Sequence, residues 1–432
     1  MKKRIKEGSE NYCCTVVVIK DLFPIKGADR ILRTIVFSND VIVSNSTKIG
    51  DRYLYFNSGT QLNEDFCKYN NLLDKEELNK DKIKGLVSYK QRRIKCIKLK
   101  EVISDGILLP LESIWSLGDF NLVDFKEGDT FTTLNDILVC EKYFVPVRNA
   151  NPRGKAPKQP TKISRLVENQ FYLHNDTENL RRNIHRISPT STIGIHFKKH
   201  GTSFVAGNVL TVKPLKWYEK ILKNLGVKIV DTQYDIVFSS RKVVKNEYLN
   251  PEKKQGYYSD DIWGIVAKEI GHLIPKGITL YGEILGYLPS GGAIQGLFDY
   301  GCNPGQHKFY VYKISSVNSD GKVFYFTDRQ IEEFCEKNGL LFKDTFIYYG
   351  KAQDLFYKLK IDKHWHENFL QKLEERFNEK DCYMCVNRVP EEGIVLRVEN
   401  LYEYESYKLK SKRFLLIESE EQEKEITNIE NN

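Results

Sequence analysis

The residues of this chain whose types and spacing suit chemistry at phosphorus are a few lysines and carboxylates on loop-like and strand-like segments. The run Ile195-His-Phe-Lys-Lys-His-Gly-Thr-Ser203 sets Lys198 and Lys199 beside His200 and Gly201. An amine attacks phosphorus only when unprotonated, so a reactive lysine must be drawn below its usual pKa of about 10.4 by burial or neighbouring cations. Lys198 has candidate neighbours of that kind. Taken alone, Lys-x-His-Gly is a short pattern that a basic surface loop would also carry. In Tyr407-Lys-Leu-Lys-Ser411, Lys408 and Lys410 stand two apart. On a strand they share a face and can reach one phosphate together, or they lie solvated on an edge strand. In GITLYGEIL, Glu283 falls opposite Ile278, Leu280, Gly282 and Ile284, which puts a carboxylate off the apolar side of a strand.

The order of these segments says more than any one of them. Lys198-Lys-His-Gly201 is followed by Ser240-Arg241, Leu280-Tyr-Gly-Glu-Ile-Leu-Gly286, Phe309-Tyr-Val-Tyr-Lys-Ile314, Glu392-Gly-Ile-Val-Leu-Arg397 and Tyr407-Lys-Leu-Lys-Ser411. The ordered set resembles the nucleotidyltransferase motifs of the covalent ligase and capping-enzyme superfamily, and its wording is closest to RNA ligases. The resemblance implies that Lys198, chosen over Lys199 by the register of the motif, attacks the α-phosphate of ATP, expels pyrophosphate and holds AMP as a phosphoramidate. It makes Lys408 and Lys410 clamps on the α-phosphate and gives Glu283 to the ribose and Tyr312 to a stack on adenine. Arg241 goes to the nucleotide or a 5′-phosphate, and His200 and Gly201 go to the nucleotide pocket, with Thr202 and Ser203 supporting the loop. A carboxylate near a triphosphate repels it unless a hard cation intervenes, so Glu392 is assigned to Mg²⁺, directly or through water, with Mn²⁺ as a substitute and Glu391 as the fallback ligand. Phe197 and Lys313 depart from the pattern, because relatives commonly carry acids at these places, and the choice of ATP over GTP is less tightly specified. The stretch 289–305 lacks Gly-Lys-Ser/Thr and is expected to be a surface loop near the site.

Residues 1 to about 140 show short apolar–polar alternations (CCTVVVIK, RTIVFS, VIVSN, YLYFN) separated by Gly and Asn-Asp, the pattern of a small β-barrel. The phrases KGADRI and KIGDRYLYF resemble the opening of OB-type nucleic-acid-binding domains. Residues 146–162, PVRNANPRGKAPKQPTK, hold four prolines and five Lys/Arg with no acid, as in an extended basic linker, which is placed at 141–165. An adenylyltransferase domain over 166–420 and a fraying polar tail at 421–432 follow. Helices are expected over 214–225, packing one face, over 260–273, after Thr327 with Gln330 completing a capping box, and across 363–378. With short strands between them the class is α+β: an N-terminal OB-fold β-barrel followed by a ligase-type nucleotidyltransferase domain of antiparallel sheets flanked by helices.

Composition bounds the function. The 432 residues are 41% hydrophobic, enough for a sizeable core, and no apolar run is long enough to span a bilayer. A soluble, cytoplasmic monomer is expected. The net charge of +8 permits a nucleic-acid partner without requiring one. Nine cysteines, with no secretory signal, read as reduced thiols. Cys382-Tyr-Met-Cys385 and His364-Trp-His366 could in principle hold zinc, but two histidines two apart on a helix face different ways.

The function expected is that of an ATP-dependent RNA ligase joining RNA or RNA/DNA ends, such as those of a nicked duplex. The alternatives are a capping guanylyltransferase and a non-catalytic RNA-binding OB protein. DNA ligases and capping enzymes generally carry an OB domain after the last lysine motif, and the 21 residues after Ser411 are too few for one. The leading OB-like segment resembles instead the arrangement of the Deinococcus and Naegleria type of RNA ligase.

Overall fold

The computed structural model describes residues 5–6, 11–144, 165–174, 176–245, 258, 260–342, 347–400 and 402–423. The expected basic linker lies outside them except at its two ends, as do residues 424–432 of the expected tail. The N-terminal alternation folds as short strands: β1 Cys14–Val18, β2 Phe23–Ile25, β3 Ala28–Val36, β4 Asn39–Ser44, β5 Arg52–Phe56, β6 Thr60–Leu62, β7 Ile107–Pro110, β8 Thr130–Phe131 and β9 Cys140–Lys142. They pair as a four-stranded sheet in the order β7-β5-β1-β8, a meander β2-β3-β4 and the pair β6-β9. Val36 pairs with Asn39 across a two-residue turn in which Phe37 and Ser38 both have positive φ (49° and 59°), the geometry that matches strand twist in a tight hairpin. Alternate side chains point inward, and Phe56, Phe66, Phe125 and Phe131 fill the centre with no exposure.

The remaining chain builds two antiparallel-rich sheets. Its strands are β10 Glu178–Asn179, β11 Thr192–Phe197, β12 Thr202–Val212, β13 Thr232–Ser239, β14 Ile278–Gly286, β15 His307–Val317, β16 Tyr348–Lys351, β17 Gly393–Val398 and β18 Glu405–Lys410. One sheet runs β10-β18-β17-β11-β16, and the other β13-β12-β14-β15 continued by 323–325. Only a four-residue loop, 198–201, joins β11 of the first sheet to β12 of the second, so the sheets meet at the lysine motif.

The longer helices of this part are α1 Trp217–Asn224, α2 Ile262–Ile270, α3 Asp328–Asn338, α4 Trp365–Leu373 and α5 Lys412–Glu423. Helix α2 starts at the Asp261 cap and buries Ile262, Trp263, Val266 and Ile270 against the second sheet. The Thr327–Gln330 capping box forms as expected, and Gly339 at φ 66° ends α3. Helix α4 packs Trp365 and Phe369 beneath the first sheet and runs on through a π-turn to Asn378.

Two expectations need correction. The helix expected over 214–225 begins only at Trp217, because the Glu219 carboxylate takes the Lys216 backbone N–H at 2.7 Å and caps the chain there. Its apolar stripe packs on nothing among the described residues: Trp217 and Leu225 are 75% and 74% exposed, since the helix sits at the far end of the β12–β13 hairpin. The expected fraying tail is ordered through Glu423 as the end of α5. Ser411 Oγ accepts the Phe414 N–H at 3.0 Å to start that helix. The helix then lies on the N-terminal domain, Ser419 Oγ accepting Cys96 N–H at 3.1 Å and Lys412 meeting Asp40 at 2.8 Å. Among the described residues no helix is long and apolar enough to cross a membrane. All nine cysteines are free thiols.

Candidate active site

Lys198 is the first residue after β11, and β17 pairs with β11 in the sheet from Phe197↔Ile394 onward. The Lys198 N–H donates to Gly393 O at 2.8 Å, so the lysine motif and the Glu392-Gly motif are stitched together by backbone. Gly393 has φ 143°, and a Cβ there would lie 2.0 Å from Leu409 O, which is why glycine follows Glu392. Gly201 is required in the same way, since its Cβ would fall 2.3 Å from Ile284 O as the loop crosses β14.

The Lys198 ammonium lies 2.8 Å from each carboxylate oxygen of Glu392, which is fully buried. Lys410 comes within 3.5 Å of the same carboxylate and within 2.7 Å of Glu418 on α5. Lys408, on the same face of β18 as Lys410, has mainly cations around it. Burial pushes its ammonium down to about 7, and the charges of Lys410 and Lys198 add to the effect. An anion entering beside Lys408 would relieve both costs. Lys199 takes another course, passing 3.9 Å from Glu391 and over the Tyr383 ring.

The second sheet supplies the opposite wall. Ser203, Glu283 and Tyr310 sit in register across β12, β14 and β15. Tyr281 pairs with Lys313 and Gly282 with Val311, so Tyr312 is the extra residue of a β-bulge, a device that re-aims a side chain. Tyr312 Oη shares a hydrogen bond of 2.8 Å with His174 Nδ1. Burial, then Arg241 and Lys313, push the His174 imidazole down to about 3, so it is neutral at ordinary pH. Arg241, just past β13, pairs with Asp176, which also lies 3.7 Å from Lys142 of β9. Burial raises the Asp176 carboxyl, but Arg241 and Lys142 outweigh it and hold it well below the usual carboxylate range.

Together these side chains line a cavity of about 1020 Å³. Lys198, Arg241, Glu283, Tyr312, Lys408 and Lys410 all line it. Glu392 stands behind Lys198, out of reach of solvent. His200 is the exception: its ring is not on the cavity wall but packs edge-on between Phe298 at 5.1 Å and Phe414 at 4.9 Å, with Nδ1 3.7 Å from Glu392. Its ring thus packs behind Glu392, and Gly201 brings the loop backbone close against β14. The aromatic partner Phe298 comes from 289–305, which is no mere surface loop, as Phe298 and Tyr300 are buried and Tyr300 Oη accepts the His200 N–H at 2.6 Å. Lys313 faces away from the cavity bottom into a box of Tyr281, Tyr325 and Tyr404, where burial pushes its ammonium down to about 7. Glu399 and Arg397 extend a buried network through Asp328, which holds His196 at 3.0 Å and Arg397 at 2.9 Å beneath the cavity.

Sequence reasoning missed Tyr12, Lys142, His174, Asp176, Tyr404 and Glu418, which lie in segments without a motif or across the domain junction. His364 and His366 bond Glu367 and Ile187 O, while Cys382 packs in a separate cluster with Phe298 and Tyr300, so the conceivable zinc ligands are not brought together. No group of three or more His, Cys, Asp or Glu among the described residues is arranged to hold a metal.

Known proteins resemble the chain in fold more than in sequence. Residues 13–111 match a family described as an OB-fold domain. No curated protein matches the chain in sequence. Its structure is similar to that of Naegleria gruberi RNA ligase. A lysine-to-methionine variant of that protein with AMP and manganese is 17% identical, with a TM-score of 0.58 over 93% of this chain and 97% of that one. A lysine-to-alanine variant with ATP and manganese is 16% identical, with 0.58 over 93% and 98%. The same ligase with pyrophosphate is 17% identical, with 0.58 over 94% and 98%. The chain therefore has an N-terminal OB fold followed by sheets and helices in the RNA-ligase architecture.

Proposed function

We propose that this protein is an ATP-dependent RNA ligase that carries AMP on Lys198, passes it to a nucleic-acid 5′-phosphate and seals that end to a 3′-hydroxyl. The observation that carries the reading is the single cavity in which one lysine amine, held by a buried carboxylate, faces two further lysines, an arginine and a tyrosine. The likeness of fold to an RNA ligase seen with ATP, AMP and pyrophosphate supports it.

In the first step Lys198 Nζ bonds to the α-phosphorus and the bond from that phosphorus to the bridging oxygen breaks, releasing pyrophosphate. Glu392 aims the amine, and its carboxylate lies 2.8 Å from Nζ, in reach of the proton that Nζ must lose. Lys408 and Lys410 face the charge that gathers on the phosphate oxygens, Tyr312 offers a stacking surface for the base and Glu283 an acceptor for ribose hydroxyls. In the second step a 5′-phosphate oxygen takes AMP from Lys198, and Arg241 is placed to hold that phosphate. In the third a 3′-hydroxyl displaces AMP and forms the phosphodiester. Positioning and electrostatic stabilisation supply most of the acceleration in all three.

This chemistry implies Mg²⁺, for which Mn²⁺ can substitute. Such an ion keeps several waters and uses one or two carboxylates plus phosphate oxygens, so the adjacent buried carboxylates of Glu392 and Glu391 fit it without a dedicated cage. When bound it neutralises phosphate charge and the negative charge developing in transfer. Residues 1–140 as the nucleic-acid-binding domain, 141–165 as the linker and 166–420 as the transferase complete the reading, with a monomer acting in the cytoplasm.

Joining assays on nicked duplexes carrying RNA or DNA separately on each side of the nick test it. Sealed product that requires ATP and Lys198 supports the ligase. Label transfer from GTP and none from ATP would favour the capping alternative, and RNA binding with neither would leave an OB-type binding protein.

A further inference from the structure

The Cys382-Tyr-Met-Cys385 pair has no part in the proposed reaction, yet it stands against the lysine loop. Tyr383 and Met384 form the centre of a turn, which brings its flanking residues within about 7 Å at Cα, inside the range that a disulfide can bridge. Both residues belong to the aromatic cluster of Phe298, Tyr300 and Phe414 that also encloses His200. The turn is held from below. Asp299 accepts Gly301 N–H at 2.7 Å, Val386 N–H at 3.1 Å and Asn387 N–H at 3.2 Å, while Cys382 N–H donates to Val389 O at 2.8 Å. From above, the ring of Tyr383 meets Phe197 at 6.2 Å and lies 5.1 Å from the Lys199 ammonium. Those two residues flank Lys198 in sequence.

We infer that Cys382 and Cys385 are a dithiol modification site, oxidised by a peroxide-class oxidant to an intramolecular disulfide that shifts Tyr383 and so controls the placement of Lys198. The asymmetry of the pair suits the chemistry. The Cys382 thiol donating to Cys385, with the Tyr300 N–H, lowers Cys385, while Cys382 is raised by that same hydrogen bond and by burial. Cys385 is also the more exposed of the two, as an attacking thiolate must be. Its sulfur bonds to one peroxide oxygen, the O–O bond breaks, and water leaves after protonation, giving a sulfenic acid. Cys382 sulfur then bonds to Cys385 sulfur, the S–O bond breaks, and the departing hydroxide takes the Cys382 proton. Two thiols and one hydrogen peroxide become one disulfide and two waters. A dithiol reductant reverses the change by exchange. A covalent S–S bond of about 2.05 Å fixes the two ends of the turn against each other. Because the turn is pinned to Asp299 on one side, the movement goes to Tyr383 on the other.

The regulatory half of this inference rests on the proposed adenylyl transfer, but the disulfide does not. The full chain is treated with hydrogen peroxide and alkylated, and its cysteine peptides are mapped. The expected result is a Cys382–Cys385 cross-link forming ahead of other thiol oxidation, with AMP transfer to Lys198 falling by about a hundredfold, as a displacement of the order of 1 Å would cause. Dithiothreitol should restore it, and Cys385→Ser should keep its activity under peroxide. Failure to form that cross-link, or formation with AMP transfer unchanged, overturns the inference. If the reduced protein carries no AMP at all, the ligase reading fails instead, and the peptide map still decides whether the dithiol reacts as stated.

Discussion

Lys198 Nζ stands 2.8 Å from both carboxylate oxygens of Glu392, a side chain with no exposure to solvent. A buried carboxylate in that position both orients the amine and lies in reach of its proton. Replacing it by an amide keeps the shape and removes the charge. Glu392→Gln should slow AMP transfer to Lys198 by about 10²–10⁴-fold, the usual contribution of a positioned proton acceptor. Single-turnover incorporation of label from ATP measures this, and a variant that transfers AMP at the wild-type rate would remove Glu392 from the mechanism.

Lys408 gives the site a pH dependence. Its ammonium is pushed down to about 7 by burial and by Lys410 and Lys198, so the charge that would clamp a phosphate is present below that pH and lost above it. The KM for ATP should therefore rise as pH climbs through about 7, and binding near that pH should take up a proton. Lys408→Gln should flatten the profile. The sign for stability is opposite: unfolded lysine titrates near 10.4, so the unfolded chain binds more protons between about 7 and 10.4, and the ligand-free protein gains stability as pH rises across that window. Calorimetric titrations in buffers of different ionisation enthalpy measure the proton uptake.

Tyr312 should separate base binding from chemistry. A ring stacked on a base contributes about 1–3 kcal/mol, so Tyr312→Ala should raise the KM for ATP by roughly tenfold to a hundredfold with a smaller change in kcat. Tyr312→Phe keeps the ring and loses only the 2.8 Å hydrogen bond to His174, so it should retain most of the affinity. Equal losses in both variants would mean that the hydroxyl, not the ring, does the binding.

Arg397 and Asp328 form a pair that is 1% and 0% exposed, with His196 on the other carboxylate oxygen. Removing one partner strands the other charge. Arg397→Met should cost about 3–5 kcal/mol in urea unfolding, and the double variant Arg397→Met/Asp328→Leu should recover part of it. A single variant within error of wild type would show that water reaches the pair.

The part of the site legible in the sequence was the part written on strands. The two-residue period placed Lys408 and Lys410 on one face and Glu283 off the apolar side, and motif order linked them to Lys198 and Glu392. His174, Asp176 and Lys142 were not legible, because they come from irregular or very short segments and meet only when the N-terminal domain docks on the transferase half. His200 was read as a pocket residue since its motif adjoins Lys198, but a four-residue loop between two sheets must turn one side chain inward, and Phe298 and Phe414 receive it. The apolar stripe of α1 shows the limit of periodicity, which marks an amphipathic helix but does not say whether anything covers it. The bulge at Tyr312 needs pairing register, which single-chain alternation does not contain.

Lys198 is the residue proposed to carry AMP. Incubation of the protein with α-labelled ATP and Mg²⁺, followed by peptide mapping, tests that directly. The expected result is label on the peptide containing Lys198 that survives alkali and is released by hot acid, as a P–N bond requires, and no label on Lys198→Ala. Absence of label from the wild-type protein, or label that persists in Lys198→Ala, would contradict it.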